Sequence, residues 1–355
     1  MRKINELIKV LMVFLLGASI LTACTKEADK PATASSSMAY SEISPGTGQG
    51  NEVLTLKGSG LGEITNITFD NGDVPAGFNP VYNTENVLIF RVPDTANGGE
   101  QNIVITNKLG TQIKVPFNVI ALPLVNTVSN YNFTEGTTIT LVGNNLNEVS
   151  SVKLDGTNDE ATVVSSTKKE LVITMPATDV ASASLIITNS TGPITTSQKF
   201  VNLDKAYKIF TEGYGDGYQD ASWAATFVSS TEAKTGTKSV GITYPAGNWS
   251  LIGFGWNQIP KSLESEYTYL SFWIKGGTVD YNLWISTSAS DGGAGSFNDN
   301  GKITVPANVW TYYKIPLSQL QLWKNASSYN QIAWRIQGPD GAPQTMYFDD
   351  IIFVK

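Results

Sequence analysis

The residues with the clearest chemical potential are tryptophans, and all eight of them lie between residues 205 and 355. Eleven of the fourteen tyrosines fall in the same segment. A large aromatic ring that faces solvent exposes apolar area, and a concentration of such rings in one domain is typical of a ligand-binding surface. We therefore expect the segment after Asp204 to have a different function from the chain before it.

Alternation along the strands of this segment assigns side chains to two faces, because successive residues of a β-strand point to opposite sides. Leu270, Phe272 and Ile274 form one apolar face, which leaves Trp273 on the opposite face. The same pattern directs inward Leu283, Ile285, Ile332, Trp334 and Ile336, and directs outward Tyr269, Lys275, Asn282, Trp284, Ser286, Arg335 and Gln337.

The outward set mixes indoles with amides, a hydroxyl and an arginine, and this mixture suits a sugar. The C–H face of a pyranose packs on an indole, while its hydroxyl rim bonds to amide, carboxylate and guanidinium groups. We predict a carbohydrate-binding surface built from Trp223, Trp249, Trp256, Trp273, Trp284, Trp323, Arg335 and Gln337. The alternative is that a tryptophan only fills the sandwich. It is favoured for Trp310 and Trp334 and stays open for the others.

The chain contains no histidine, which excludes serine and cysteine triads, histidine zinc sites and histidine general bases. Only carboxylates could supply acid and base groups, and a glycosidase needs two of them across a cleft. The candidates are Asp216, Asp220, Glu264, Glu266, Asp280, Asp291, Asp299, Asp349 and Asp350. Surface carboxylates are usually only solvated, and a domain of this length leaves little room for a deep cleft. We therefore expect a binding protein and not an enzyme.

Charge narrows the ligand. The formal net charge of −7 and the lack of a basic stripe argue against a nucleic-acid partner. Residues 205–355 hold eleven Lys and Arg against twelve Asp and Glu, with Arg335 the only arginine. Sulfated or uronic glycans usually require more cationic groups than this. A neutral glucan or similar hexose polymer is the expected ligand.

The C-terminal segment shows strand alternation and no helical periodicity. Strands are predicted at residues 249–254, 269–275, 281–287, 310–317, 332–337 and 346–354. Short strands over about 150 residues indicate a jelly roll or related sandwich at 204–355.

Two earlier segments repeat each other at an offset of 82 to 85 residues. Residues 53–61 match 138–146, residues 88–93 match 171–176, and residues 103–107 match 185–189. Each alternates apolar and polar residues between Gly, Asn and Asp turns, which is typical of immunoglobulin-like sandwiches. Three glycines of the repeat, Gly58, Gly60 and Gly143, fit turn positions that need positive φ.

The repeated blocks resemble the IPT/TIG family of immunoglobulin-like domains, which we place at residues 41–121 and 122–203. Between Thr25 and Asp204 there are nine Phe and Tyr residues and no Trp. Low aromatic content favours a role as spacers for these two domains.

Five blocks of the C-terminal segment resemble galactose-binding-like jelly rolls of carbohydrate-binding modules. They are residues 214–223, 235–240, 270–276, 315–317 and 347–351. The resemblance gives an all-β fold class overall: two immunoglobulin-like (IPT/TIG) sandwiches followed by a galactose-binding-like β-jelly roll.

Relatives of this jelly roll often carry a structural calcium between the first and last strands. The resemblance implies Glu212 and Asp349 as its ligands, since calcium prefers carboxylate oxygens. The alternative is that Asp349 caps a turn by hydrogen bonding. No cofactor is otherwise required.

The N-terminus carries a secretory signal, because Arg2, Lys3 and Lys9 flank an apolar run that ends in Leu-Thr-Ala-Cys at Cys24. This ending resembles the lipobox of bacterial lipoproteins, which implies cleavage after residue 23, acylation of Cys24 and a membrane anchor. Cys24 is the only cysteine, so no disulfide can form. The charged residues that follow it resemble the export signal of Bacteroidetes surface lipoproteins. Residues 24–40 are predicted to be a flexible stalk.

Taken together, the chain resembles the surface glycan-binding lipoproteins of Bacteroidetes polysaccharide-utilisation systems. The resemblance implies a monomer on the outer membrane, facing the cell exterior. It would bind polysaccharide without cleaving it and pass it to a TonB-dependent transporter complex. Two alternatives stay open: an adhesin or scaffold that binds another surface protein, and a glycan-cleaving enzyme.

Overall fold

The computed structural model describes residues 33–247 and 249–355. The predicted signal peptide, Cys24 and the first part of the expected stalk lie outside these residues. The described residues divide into two compact units, one that ends at Ala121 and one that begins at Leu122. In the described ranges, no helix has both the length and the apolarity needed to cross a membrane.

The first unit is a two-layer β-sandwich. Its strands are β1 (Ala34–Ser44), β2 (Thr47–Gly48), β3 (Val53–Leu61), β4 (Ile64–Phe69), β5 (Val74–Pro75), β6 (Val87–Arg91), β7 (Gly99–Asn107) and β8 (Gln112–Val119). One sheet has the order β1-β3-β6 and the other the order β2-β8-β7-β4-β5. Alternate residues such as Leu54 in β3 and Ile105 in β7 are fully buried between the sheets.

Strand β1 corrects the predicted stalk of residues 24–40, because the strand begins at Ala34. Most of its residues are Ala or Ser, and only Met38 is buried among them. The strand forms through backbone pairing with β3, in which Ala39 faces Ser59. Hydropathy misses an edge strand of this kind, because its stability comes from main-chain hydrogen bonds rather than apolar burial.

The glycines of the repeat have two different roles. Gly60 adopts a φ of 66°, as predicted. Gly58 and Gly143 do not have positive φ; a Cβ there would lie 2.1 Å from the Ala39 carbonyl oxygen and 1.7 Å from that of Leu124. These two glycines allow the neighbouring strand to approach closely at a register shift in each domain.

The second unit begins with the repeated sandwich. Its strands are β9 (Leu124–Val128), β10 (Asn132–Phe133), β11 (Thr138–Asn144), β12 (Ser151–Leu154), β13 (Thr162–Ser166), β14 (Glu170–Thr174), β15 (Ser182–Ala183), β16 (Leu185–Asn189), β17 (Gly192–Thr195) and β18 (Phe200–Asn202). They form sheets with the orders β13-β14-β11-β9, β12-β16-β17 and β10-β18-β15.

The C-terminal domain follows directly. Its strands are β19 (Tyr207–Phe210), β20 (Gln219–Asp220), β21 (Thr226–Ser229), β22 (Ser239–Tyr244), β23 (Leu251–Pro260), β24 (Tyr269–Lys275), β25 (Tyr281–Thr287), β26 (Lys302–Val305), β27 (Trp310–Pro316), β28 (Ser328–Ile336) and β29 (Gln344–Val354). Two one-turn helices, α1 (Leu263–Glu266) and α2 (Leu317–Leu320), join them. A five-stranded sheet, β20-β23-β28-β25-β26, packs on a six-stranded sheet, β21-β22-β29-β24-β27 with β19 beside β29.

The predicted all-β fold class is confirmed, and so is the predicted inward face of the C-terminal strands. Phe272, Ile285 and Trp334 are buried in one shared core. Phe272 and Trp334 come from opposite sheets and meet edge to face, with ring centroids 5.2 Å apart. Such aromatic pairs fix the spacing of the two sheets.

Strand β29 is buried on both faces. Ile351 and Phe353 belong to the core of the C-terminal domain. Ile352 and Val354 point the other way and pack with Val201 of the preceding sandwich. The unbroken apolar run at the end of the chain therefore reflects two cores that share one strand.

Tyr131 strengthens this junction. Its ring stacks on Tyr312 at a centroid distance of 4.7 Å and lies 6.0 Å from the ring of Trp273. Beside it, the Asn132 side-chain amide donates to Asp350 Oδ2 at 2.9 Å. Residues 122–355 consequently form one compact unit through ring stacking, apolar contact and a buried hydrogen bond.

Burial raises the pKa of Asp350, and the hydrogen bonds from Asn132 and Thr235 only partly offset it. Burial and the neighbouring Asp350 also raise the pKa of Asp349. The folded chain therefore holds these protons more tightly than the unfolded chain does. The stability gained in this way is present at low pH and is lost as pH rises through the folded-state pKa.

We expect Asp350→Asn to weaken this pH dependence, because the amide keeps an acceptor for Asn132 and Thr235 but carries no charge. When the pH is raised from about 5 to about 8, the free energy of unfolding of the wild type should fall by on the order of 1 to 2 kcal/mol more than that of the variant. Thermal melts of the full chain measure this. The exposed Asp340→Asn is the control. Equal pH slopes for wild type and Asp350→Asn would contradict the explanation.

Candidate functional site

One group of side chains on the outer face of the five-stranded sheet has the composition of a sugar-binding surface. We call it the aromatic cluster, and it consists of Trp223, Trp249, Trp284, Phe297 and Arg335. The Arg335 guanidinium carbon lies 4.9 Å from the Trp223 ring centroid, 5.5 Å from that of Trp249 and 4.7 Å from that of Phe297. A cation thus joins three rings from separate segments.

The two sheet strands and their flanking segments position the cluster. Arg335 lies on β28 directly opposite Leu251 of β23. The backbone N–H of Trp223 donates to the Leu251 carbonyl at 3.1 Å, which holds that tryptophan along the edge of the sheet. Trp249 precedes β23 by two residues. Trp223 and Trp249 keep 55% and 50% of their surface exposed, so each ring presents area to a ligand.

A glycine-rich loop after β25 completes the cluster. Phe297 meets Trp249 and Trp284 edge to face, with centroids 5.2 Å and 5.0 Å apart. The loop is tied to the sheet at Gly295, whose N–H donates to Ser286 Oγ at 2.8 Å. The Gly295 carbonyl in turn accepts from Arg335 Nη1 at 2.6 Å.

Arg335 is held without a carboxylate partner in its described contacts. Burial lowers the pKa of its guanidinium, but an arginine side chain still stays charged in the neutral range. Its Nε is buried and has no hydrogen-bond partner in the structure. The charge is therefore balanced by ring faces and one carbonyl, which leaves part of its donor capacity unused.

The predicted residues Trp256 and Gln337 are exposed, and none of their described contacts reaches the aromatic cluster. Trp256 is 59% exposed and has a φ of 76°, at a register shift in β23. A bulky residue with positive φ is strained, and such strain is often kept where a side chain must be presented. Gln337 is exposed just beyond β28, and no ring contact or hydrogen bond in the described residues joins it to the cluster.

Three predicted binding tryptophans are placed differently from the expectation. Trp323 is 1% exposed, and its indole N–H donates to the Ile259 carbonyl at 2.9 Å inside the core. Trp273 does point away from the core of its domain, but Tyr131 covers it and leaves 5% exposed. Trp284 also points outward and is 9% exposed beneath Phe297. The predicted exposure of these rings was wrong, because strand alternation does not show what covers a face.

The carboxylates proposed as calcium ligands accept hydrogen bonds from backbone N–H groups and from one hydroxyl. Asp349 accepts from the backbone N–H groups of Lys234, Thr235 and Asp350 at 2.8 to 3.1 Å. Glu212 accepts from the Thr237 N–H and hydroxyl. In the described residues there is no group of three or more acidic, His or Cys side chains arranged for a metal. These hydrogen bonds support the turn-capping alternative for Asp349, and a calcium ion held by Glu212 and Asp349 stays a prediction.

Carboxylates are absent from the contacts described for the aromatic cluster. Asp291 pairs with Lys324 and Asn325, and Asp220 accepts from Ser222 and Thr226. Their positions and bonds are those of structural caps and ion pairs. The cluster therefore provides stacking and hydrogen bonding but no pair of facing acids.

Sequence reasoning missed Phe297 and Lys302. Phe297 is an isolated aromatic residue in a segment rich in Gly and Ser, and that isolation was an available signal. Lys302 lies opposite Trp284 in the pairing of β25 with β26, and its Nζ is 5.4 Å from the indole centroid. Its place became visible only with the strand register.

Comparison with known families assigns the class. Residues 206–355 match the family model described as carbohydrate binding domain 30, and residues 39–118 and 123–201 match the IPT/TIG domain model. The chain thus contains two IPT/TIG domains and a C-terminal carbohydrate-binding domain. A search of curated proteins finds no match to the chain.

Among the solved structures that match this chain are two surface glycan-binding proteins and a carbohydrate-binding module. PbSGBP-B of Prevotella bryantii is 18% identical with a TM-score of 0.56, covering 91% of this chain and 99% of that one. SGBP-B from a xyloglucan utilization locus of Bacteroides uniformis is 18% identical with a TM-score of 0.44, covering 90% and 99%. The family 30 module of a Clostridium thermocellum cellulase is 20% identical with a TM-score of 0.31, covering 42% and 97%. The first of these shows a shared fold.

We expect Gly295→Ala to displace the loop that completes the cluster. Its φ is 81°, and a Cβ would lie 2.9 Å from Leu251 Cδ2 and 3.1 Å from Trp223 Cη2. The cost should be about 1 to 3 kcal/mol, with a change in tryptophan fluorescence. Gly293→Ala is the matched control, because Gly293 also has positive φ but nothing within 4 Å of its Cβ position. Equal effects of the two variants would show that only backbone strain matters.

Proposed function

We propose that this chain is a non-catalytic cell-surface protein that holds polysaccharide on the aromatic cluster of its C-terminal domain. One observation carries the proposal: Trp223 and Trp249, both about half exposed, flank Arg335 on a domain that matches a carbohydrate-binding family. Each half-exposed ring offers apolar area to a pyranose face. Arg335 supplies hydrogen bonds to hydroxyl groups at the same place.

The ligand is a neutral glucan or similar hexose polymer. Lysines and arginines do not outnumber acids in residues 205–355, and Arg335 is already surrounded by three rings. A site for sulfated or uronic chains would need additional free cations. Trp256 lies on β23, the strand that begins two residues after Trp249. Its exposed ring provides a further stacking surface for an extended polysaccharide.

In this proposal a lipid on Cys24 anchors the protein to the outer membrane. The protein then delivers glycan to a TonB-dependent transporter complex. The lipobox-like ending before Cys24 supports the anchor. The similarity in fold to a Prevotella bryantii surface glycan-binding protein agrees with exposure at the cell surface. The chain would act as a monomer, and many tethered copies would raise the retention of a weakly bound polymer.

We expect Trp223→Ala and Trp249→Ala each to weaken glycan binding by on the order of 2 kcal/mol, since each removes a stacking surface. The melting temperature should change little, because both rings are about half exposed. Affinity electrophoresis on neutral glucans, mannans and xylans measures the effect.

Trp310→Ala is the control. Trp310 begins β27 in the other sheet and is partly exposed. Retention without product supports binding, whereas release of product would show catalysis. No retention of the wild type on any glycan would favour a protein partner instead. Unchanged affinity in a folded Trp223→Ala/Trp249→Ala double variant would remove the proposed surface.

A further inference from the structure

A second concave surface with an exposed aromatic ring lies in the first unit. It has a volume of about 480 Å³ and is formed on one side by the outward faces of β3 and β6. The side chains that matter for the argument are Val53, Phe78, Asn79, Tyr82, Ile89 and Arg91. Tyr82 is 57% exposed and Val53 is 43% exposed. We call this surface the Tyr82 cleft.

The cleft exists because the two IPT/TIG domains differ at this position. In the second domain, β13 pairs with β14 through four residue pairs, from Thr162 opposite Thr174 to Ser166 opposite Leu171. In the first domain, β6 corresponds to β14, and its outer neighbour is only an isolated bridge between Phe78 and Phe90. The chain then turns through a short 3₁₀ helix, Pro80–Tyr82. The first domain therefore has a turn where the second domain has strand β13, and this turn places Tyr82 beside the sheet.

The turn is a fixed feature and not a loose loop. The Asn79 side-chain oxygen accepts from the Val81 N–H at 3.1 Å, and the N–H of Asn83 donates to the Pro80 carbonyl at 3.0 Å. The Asn83 amide then donates to the Leu61 carbonyl at 2.6 Å. Tyr82 is therefore presented by a capped turn that is bonded to the sheet. The backbone that carries the Tyr82 ring therefore loses little conformational freedom when a ligand packs on the ring.

The rim of the Tyr82 cleft carries an arginine, as the aromatic cluster does. Beyond Arg2, the sequence contains two arginines, Arg91 and Arg335. Each borders a surface with at least one exposed aromatic ring. Arg91 Nη1 donates to the Asn51 carbonyl at 2.6 Å, which fixes the side chain while its other N–H groups remain for a ligand.

We propose that the Tyr82 cleft is a second glycan-binding site, which stacks one pyranose ring on Tyr82 and bonds its hydroxyl groups through Arg91 and Asn79. The first IPT/TIG domain then binds ligand in addition to acting as a spacer. The site takes the same class of ligand as the aromatic cluster, a neutral polysaccharide, and in that respect rests on the proposed function. With one exposed ring where the cluster has two, it binds more weakly.

The test uses the full chain with the C-terminal site removed by Trp223→Ala/Trp249→Ala. On those glucans, mannans and xylans that retain the wild type, this double variant should keep a weak retention in affinity electrophoresis. Adding Tyr82→Ala should weaken the residual retention about 5- to 10-fold or abolish it. Adding Arg91→Gln should weaken it as well, because the amide cannot replace the guanidinium fork.

Tyr40→Ala in the same double-variant background is the matched control. Tyr40 is an exposed tyrosine of the same domain, 42% exposed on β1, and does not line the cleft. Melting curves confirm that each variant is folded. Equal retention of the Tyr82→Ala and Tyr40→Ala variants, or loss of all retention in the double variant while the wild type binds, would overturn the second site alone. Failure of the wild type to bind any glycan would overturn both sites.

Discussion

The two-sided burial of β29 is the constraint on which the second unit depends. The strand pairs with β19, β22 and β24, so it lies inside its sheet. Ile351 and Phe353 fill one core, and Ile352 and Val354 fill the junction with the preceding sandwich. Because a one-residue shift of register would exchange these faces, the strand fixes the jelly roll and its attachment together. The aromatic cluster lies on the opposite sheet, which packs against the core that Ile351 and Phe353 help to form.

Much of the fold could be predicted from the sequence, because alternation of side chains directly reflects strand geometry. The strands at 269–275 and 281–287 were predicted with the bounds that the structure has. The inward positions of Phe272 and Trp334 followed from the same pattern. Edge strand β1 could not be predicted in this way, since its polar residues are held by backbone pairing.

The site was predicted less well, for a physical reason. Alternation shows which way a ring points but not what lies above it, and Tyr131 above Trp273 and Phe297 above Trp284 come from distant parts of the chain. Trp323 follows α2, outside any alternating strand, so its direction could not be derived from the pattern. Trp223, Trp249 and Trp256 are the exposed tryptophans of the predicted set.

The short connection between the second sandwich and the C-terminal domain has a mechanical consequence. Strand β18 ends at Asn202 and β19 begins at Tyr207, with a single 3₁₀ turn, Leu203–Lys205, between them. A pull on the C-terminal domain therefore cannot be absorbed by extending a linker. The load passes into the seam where Tyr131 lies against Tyr312 and Val201 against Ile352, and separating the two domains requires those contacts to break together.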